Sequence, residues 1–163
     1  MDNIKIVPRV IVTGHTDGGK STIIRDGLAT NVSEEIVGLV ISDIWATNTM
    51  PVDLNQELII PNTPLPITPK NGSYFRYVKI PPDSELKIDG VAANSCEHHP
   101  LMHKTQTLDY IIILSGEIYL VTEEEETLLR AGDIVIQRGT NHAWSNRSNH
   151  YCIQLAILLD AEV

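Results

Sequence analysis

Residues 14–22 read GHTDGGKST. Letter for letter this is Gly-x-x-x-x-Gly-Lys-Ser/Thr, the loop that cradles nucleotide phosphates, with Gly14, Gly19, Lys20 and Ser21 in their places. The motif works only where a strand delivers the glycines to the N-terminus of a helix, whose aligned amides and dipole hold the anion. After Lys20 the chain runs STIIRDGLATN. Thr22, Ile23 and Ile24 are β-branched and Asp26-Gly27 is a turn signal, which leaves no room for a useful helix. Two strands fit better: RVIVTGH and KSTIIRD, joined through Asp17-Gly18-Gly19, a strong hairpin signature. The apolar run EIVGLVISD, ending at Asp43, is the place a magnesium-binding strand would occupy. Such runs are common in β-rich chains, and the alternating βα units of a nucleotide fold are missing. The expectation is an all-β protein that takes no nucleotide.

Outward from the hairpin, the remaining segments read as strands between turns. YFRYVKI (74–80) is stopped by Pro81-Pro82. TLDYIIILSGEIYLVT (107–122) holds two strands broken at Ser115-Gly116, and ETLLRAG, DIVIQRG and HYCIQLAILLD follow. This spacing suggests a closed sheet or sandwich. Helix is sparse; SEEIVGLV has a serine cap and early glutamates, which predicts one short helix near Ser33. Residues 51–72, rich in proline and asparagine, are expected to be an irregular surface segment that drapes over the sheet or reaches a partner subunit. The acidic run at 123–126 reads as a solvated hairpin tip.

The chain has 163 residues, 42% of them apolar, enough for one buried core and short for two domains. A single domain over 1–163 is expected, with a hairpin and irregular extension at 1–70 and the barrel at 71–163. A formal net charge of −9 leaves little basic surface for phosphates and disfavours nucleic acid as a partner. No stretch approaches the ~20 apolar residues of a membrane span, and MDNIKIVPRV lacks the marks of an export signal. Cys96 and Cys152 are read as reduced thiols and the protein as cytoplasmic.

Chemistry concentrates in HHPLMHKTQTLDYIIILSGE (98–117) and GDIVIQRGTNHAWSNRSN (132–149). The second stretch resembles the second motif of the cupins, in which Gly-Asp opens a strand, a histidine enters the barrel, and an asparagine follows four residues later. Gly132, Asp133, His142 and Asn146 match. Arg138 stands where the family usually has proline, and Gly139 is shifted by one. The first stretch resembles the first cupin motif: counting back from Gly116 places Asp109 at the acidic position and His103 at the first histidine. The second histidine is absent, with Thr105 or Lys104 in its place. Further segments, VTGHTDGGKS, ISDIWATNTMPVD and FRYVKIPPD among them, are similar to small single-domain cupins of bacteria and fungal biosynthetic pathways, including the oryzine-pathway type. Some of these are described as decarboxylases or oxidoreductases of secondary metabolism. The resemblance implies a double-stranded β-helix, or jelly-roll barrel, carrying an N-terminal β-hairpin extension, and commonly a homodimer.

Strand alternation supplies an independent argument for a site. If the segment is regular, His103, Thr105, Thr107 and Asp109 share one face, and His142, Trp144 and Asn146 share another. Were both faces to line a barrel, two imidazoles and one carboxylate would converge. That is a minimal ligand set for a divalent metal such as Fe(II), Mn(II) or Zn(II). His103, Asp109 and His142 are therefore the candidate metal ligands and catalytic residues. Asp109 has a second reading, as a buried acid hydrogen-bonded to Thr105, Thr107 or Tyr110 with no metal. Trp144 and Trp45 have one as core indoles. His98 and His99 either extend the site or are surface residues. Gln106 becomes a neutral ligand if a bulge turns it inward.

Arg76 and Arg138 are candidate anchors for a substrate carboxylate, since a guanidinium presents a planar fork of donors. Arg76 faces inward only if Phe75 and Tyr77 face outward. Together with Trp144, Asn146 and Gln106, these arginines form the expected substrate-binding group for a small carboxylated or polyketide-like metabolite. A metal polarising the carbonyl beside a departing carboxylate, with Asp109 or water returning the proton, makes a decarboxylase or lyase. A metal-dependent dioxygenase on the same site, or a non-catalytic small-molecule-binding cupin, are the alternatives.

Overall fold

The computed structural model describes residues 7–36, 38–56, 68–86 and 99–162. The predicted hairpin is present as β1 (Arg9–His15) and β2 (Ser21–Leu28), an antiparallel ribbon pairing with no other strand among the described residues. Its turn closes through Gly19 N–H to the Thr16 carbonyl at 2.8 Å, with Gly19 at φ +74°, a conformation that favours glycine. The chain after Lys20 is strand, so the helix that a phosphate loop requires is replaced by β2.

The short helix expected near Ser33 is instead β3 (Val32–Ile36), paired antiparallel with β4 (Leu39–Thr47). Tertiary pairing overrides the cap signal here. Only five residues separate the entry from the turn at Gly38, too few for a stable helix. Gly38, at φ +86°, donates its N–H to the Glu34 carboxylate at 2.8 Å and turns the chain back.

The remaining strands are β5 (Ser73–Ile80), β6 (Thr107–Ser115), β7 (Glu117–Thr122), β8 (Glu126–Arg130), β9 (Ile134–Arg138), β10 (His142–Ser145) and β11 (Cys152–Asp160). A six-stranded sheet runs β3-β4-β5-β11-β6-β9 and a three-stranded sheet β10-β7-β8, all neighbours antiparallel. This is the all-β jelly-roll arrangement. The large sheet takes in β3 and β4, so it draws on residues that the sequence reading assigned to the extension. Much of the proline-rich segment, residues 57–67, lies outside the described residues.

One core lies between the two sheets. Ile80, Ile111, Ile113 and Ala156 come from the large sheet, Ile118 and Leu129 from the small one, with Val78, Leu158 and Trp144 packed against them. Burying each of these aliphatic side chains contributes about 1.5–3 kcal/mol. Gly116, at φ +76°, makes the tight passage from β6 to β7; a Cβ there would meet the Tyr151 carbonyl at 2.5 Å. Cys152 is a buried free thiol, pushed up to about 12 by desolvation and hence inert, while Cys96 is outside the described residues. Glu123, Glu124 and Glu125 form the exposed hairpin tip that the acidic run implied. No helix among the described residues is long and apolar enough to cross a membrane.

Candidate functional site

The site begins at His142, the first residue of β10, whose backbone exchanges two 2.9 Å hydrogen bonds with His103. That bridge brings the imidazoles together, ring centroids 4.4 Å apart and planes tilted by 47°. Each Nδ1 lies 2.9 Å from a backbone carbonyl oxygen, that of Leu101 for His103 and of Thr140 for His142. A carbonyl only accepts, so in the neutral ring both Nδ1 atoms carry the hydrogen and both Nε2 atoms keep their lone pairs. Burial holds the His142 imidazole below its usual range, the Thr140 carbonyl opposing and the like charge of His103 reinforcing. Trp144 meets the His142 ring edge-on, centroids 5.7 Å apart.

Thr140 is itself fixed, its carbonyl also accepting from Gln137 Nε2 at 3.0 Å. The buried Gln137 on β9 stands opposite Asp109 on β6. Asp109 is buried, and its Oδ1 has no hydrogen-bond partner. Burial pushes this carboxyl up from the ordinary carboxylate range, against the opposing effects of the Thr107 hydroxyl and the His103 and Arg76 charges.

Arg76 on β5 is inward-facing and buried, and it is met by the acid that ends the apolar run before it in the chain. Asp43, opposite it on β4, accepts from Nε at 2.6 Å and from Nη2 at 3.4 Å. The pair lies beside Asp109: Arg76 is opposite Ala156 of β11, and Leu158, two residues on, is opposite Asp109. Both carboxylates and the guanidinium thus share one face of the large sheet. EIVGLVISD gives no sign of this face, because residues 39–41 are apolar at successive positions and show no alternation leading into Asp43. Gln154, buried with its Nε2 unpartnered, is a further interior polar group that the sequence reading missed.

Several expectations are corrected. β6 begins only at Thr107, so the alternation carried back from Asp109 to His103 does not hold; His103 lies in an irregular segment and is exposed, while His142 is buried. Among the described residues no three His, Cys, Asp or Glu side chains converge as a metal-binding group. Asp109 is not gathered with them into a three-ligand set: it stands on the large sheet and the imidazoles at the edge of the small one, with Thr105 or Lys104 at the place of the motif's second histidine. The imidazole pair on its own, Nδ1 atoms anchored and Nε2 atoms free, has the orientation of metal-ligating histidines and fits a divalent ion as two nitrogen donors.

Arg138 is exposed on the outer face of β9, opposite Leu108, away from the interior. Gln106 is exposed at a bend before β6 and is not turned in. Asn146 is fully buried but spent on backbone: Nδ2 donates to the Ile80 carbonyl at 3.1 Å and to that of His150 at 2.8 Å, while Oδ1 accepts from Ser148. It pegs the loop between β10 and β11. His99 is buried with its Nε2 unpartnered, and desolvation lowers its basicity; His98 lies outside the described residues.

A model of the cupin domain matches residues 91–158. Phomopsin biosynthesis cluster protein C' of Diaporthe leptostromiformis is 40% identical over 112 residues, 64% of this chain and 52% of that protein, so the chain spans about half that relative's length. The cupin-domain-containing oxidoreductase fogC of Aspergillus ruber is 30% identical over 157 residues, 91% of this chain and 70% of that protein. Among solved structures, the cupin domain of Schizosaccharomyces pombe Cnp3 superposes with a TM-score of 0.52 over 93% of this chain and 87% of that one; at 9% identity the likeness shows the fold. The jelly-roll topology, the family match over the strands that carry His142 and Asp109, and the near full-length relative agree: this chain belongs to the cupin family.

Proposed function

We propose that this cupin is an enzyme of small-metabolite chemistry that cleaves carbon dioxide from a carboxylated or polyketide-like substrate. What supports the reading is the imidazole pair, with the His142 ring held below its usual range by burial, together with a buried Asp109 whose carboxyl is raised by burial and a buried Arg76. Arg76 spends Nε and Nη2 on Asp43, and Nη1 makes no hydrogen bond among the described residues, so it offers a donor to a substrate oxygen. In decarboxylation the carbon–carboxylate bond breaks, carbon dioxide leaves, and the electron pair passes into the adjacent carbonyl as an enolate. Asp109, its carboxyl raised above the ordinary carboxylate range by burial, is the acid that returns a proton to carbon. A divalent ion such as Fe(II), Mn(II) or Zn(II), held by His103 and His142, would supply Lewis-acid polarisation of that carbonyl.

Three relatives, each named a cupin-domain-containing oxidoreductase, favour a second reading, oxidation on the same site. One experiment separates the two. The protein is assayed for carbon dioxide release and for oxygen uptake on a panel of small β-keto acids, with bound metal measured in parallel. Carbon dioxide release without oxygen uptake, lost in Asp109→Asn and in His142→Ala, is the expected result. Oxygen uptake in step with product would replace the first reading by the second. Ligand binding that survives chelation, with no turnover of any substrate, would leave a non-catalytic binding cupin.

A further inference from the structure

We propose that Gln154 and Ala156 of β11 form, with Arg76, the seat for the carboxylate that the substrate loses, so that the substrate lies with this carboxylate innermost and its carbonyl toward the imidazole pair. This seat rests on the decarboxylation proposed above, and it narrows the substrate to a β-keto acid with a single carboxylate. The first support is the Gln154 amide. The residue is 3% exposed, and its Nε2 has no hydrogen-bond partner among the described residues. Its surroundings are apolar. Val78 stands opposite on β5 and Ile113 opposite on β6, both in or against the core, and Cys152 and Ala156 flank it two residues away on the same face. Buried polar side chains of native proteins are overwhelmingly paired, so this one marks a place where an acceptor from outside the chain fits.

The second support is what surrounds Ala156. Arg76 lies directly opposite it on β5 and Ile111 directly opposite on β6, with Asp109 two residues before Ile111. Strands lie ~4.8 Å apart and alternate residues ~6.6 Å apart, so Gln154, Arg76 and Asp109 all stand within ~8 Å of Ala156 on one face. Ala156 carries a single methyl group where Ile111, Ile113 and Leu158 around it carry whole aliphatic side chains. It is the position of this neighbourhood with the least side chain above it. Arg76 Nη1, unbonded among the described residues, and Gln154 Nε2 are the two donors beside it, and a carboxylate has one oxygen for each.

The charge of the seat suits the release of carbon dioxide. Asp43, 2.6 Å away, already balances the Arg76 guanidinium, and Gln154 brings no charge of its own. Such a seat holds a carboxylate by hydrogen bonds without a net positive charge, so it does not over-stabilise the ground state, whose negative charge must pass to the enolate. The carbon–carboxylate bond breaks above Ala156, carbon dioxide leaves from between Arg76 and Gln154, and the electron pair moves into the carbonyl on the imidazole side, where Asp109 supplies the proton to carbon. Among the described residues Arg76 is the one cationic side chain on the inner face of the large sheet, since Lys79 and Arg138 stand at outward positions. A second carboxylate on the substrate would find no partner there, which selects acids with one.

The test is calorimetric titration of the full chain with β-hydroxybutyrate, a carboxylate of this shape with no keto group to accept the electron pair, and with its methyl ester. The wild type is expected to bind the acid and not the ester. Gln154→Met keeps the length of the side chain without its amide and is expected to weaken binding ~10–100-fold, as the loss of one hydrogen bond to a charged group does. Ala156→Leu fills the seat and is expected to abolish binding; should it fail to fold by circular dichroism, Ala156→Val takes its place. Gln154→Met is also expected to melt no lower than the wild type, because its amide N–H has no partner to lose, whereas an amide kept for the fold would lower the melting point. On a β-keto acid that is turned over, the same variant is expected to raise KM and leave kcat unchanged or higher. A wild type that binds neither compound or both alike, a Gln154→Met chain that binds as the wild type does, or one that melts lower overturns the proposal. Binding in the expected pattern without carbon dioxide release from any β-keto acid keeps the carboxylate seat and removes the decarboxylation. Carbon dioxide release with KM unchanged in Gln154→Met keeps the decarboxylation and removes the seat.

Discussion

Removing the carboxylate of Asp43 tests whether the interior polar group is organised as described. Asp43 and Arg76 have side chains only 7% and 10% exposed, and the guanidinium lies 2.6 Å from Oδ1. In Asp43→Ala the guanidinium stays in the interior without its counter-charge, at a cost of about 3–5 kcal/mol. That is a large part of the ~5–15 kcal/mol by which domains are stable, and for a chain of this length it corresponds to a melting point lower by ~10 °C or more. The double variant Asp43→Leu with Arg76→Met removes both charges and keeps the volume, and it is expected to fall within ~2 kcal/mol of wild type. Urea unfolding followed by tryptophan fluorescence and circular dichroism measures all the corners of this cycle. An Asp43→Ala cost below ~1 kcal/mol, or a double variant as unstable as the sum of the singles, would refute the buried pair and remove the support for Arg76 as a pre-set donor.

Three further outcomes are expected. Asp109→Asn is stabilising at neutral pH: a carboxyl raised by burial contributes stability that is present below its unfolded value and lost as pH rises through its folded one. The gap between variant and wild type should close as pH falls toward 4, and a pH-independent gap, or a variant less stable at pH 7, contradicts the assignment. Gly116→Ala combines a positive φ of 76° with a Cβ 2.5 Å from the Tyr151 carbonyl, and should cost about 2–4 kcal/mol by denaturant titration. Asp83→Ala strips the acceptor from Ser145 Oγ at 2.6 Å and from the Asn146 N–H at 2.9 Å, both buried, and should cost about 2–4 kcal/mol, whereas a loss below 1 kcal/mol would mean the network is not structural.

What the sequence determined on its own was local. Asp17-Gly18-Gly19 between β-branched runs made a hairpin of residues that spell a phosphate loop, because turn chemistry and χ1 stiffness act over a few residues. Gly116 and the β-branched apolar run YIIIL placed β6, and the cupin-like motifs marked His103 and His142. What tertiary structure alone decided was which side each group faces and what it meets. Residues 39–41 are apolar at successive positions, so only the pairing of β4 with β5 set the Asp43 carboxylate against Arg76. The irregular run before Thr107 left His103 exposed, and strand parity sent Arg138 to the outer face. Asn146 matched its motif position yet gave every polar atom of its amide to the neighbouring loop and β5. β3 formed where a cap signal suggested helix, since β4 offered it a ladder. Side chains on a strand alternate with a period of two, so one inserted or irregular residue exchanges inside for outside. Such insertions are fixed by pairing with strands far along the chain, and the local sequence carries no record of them.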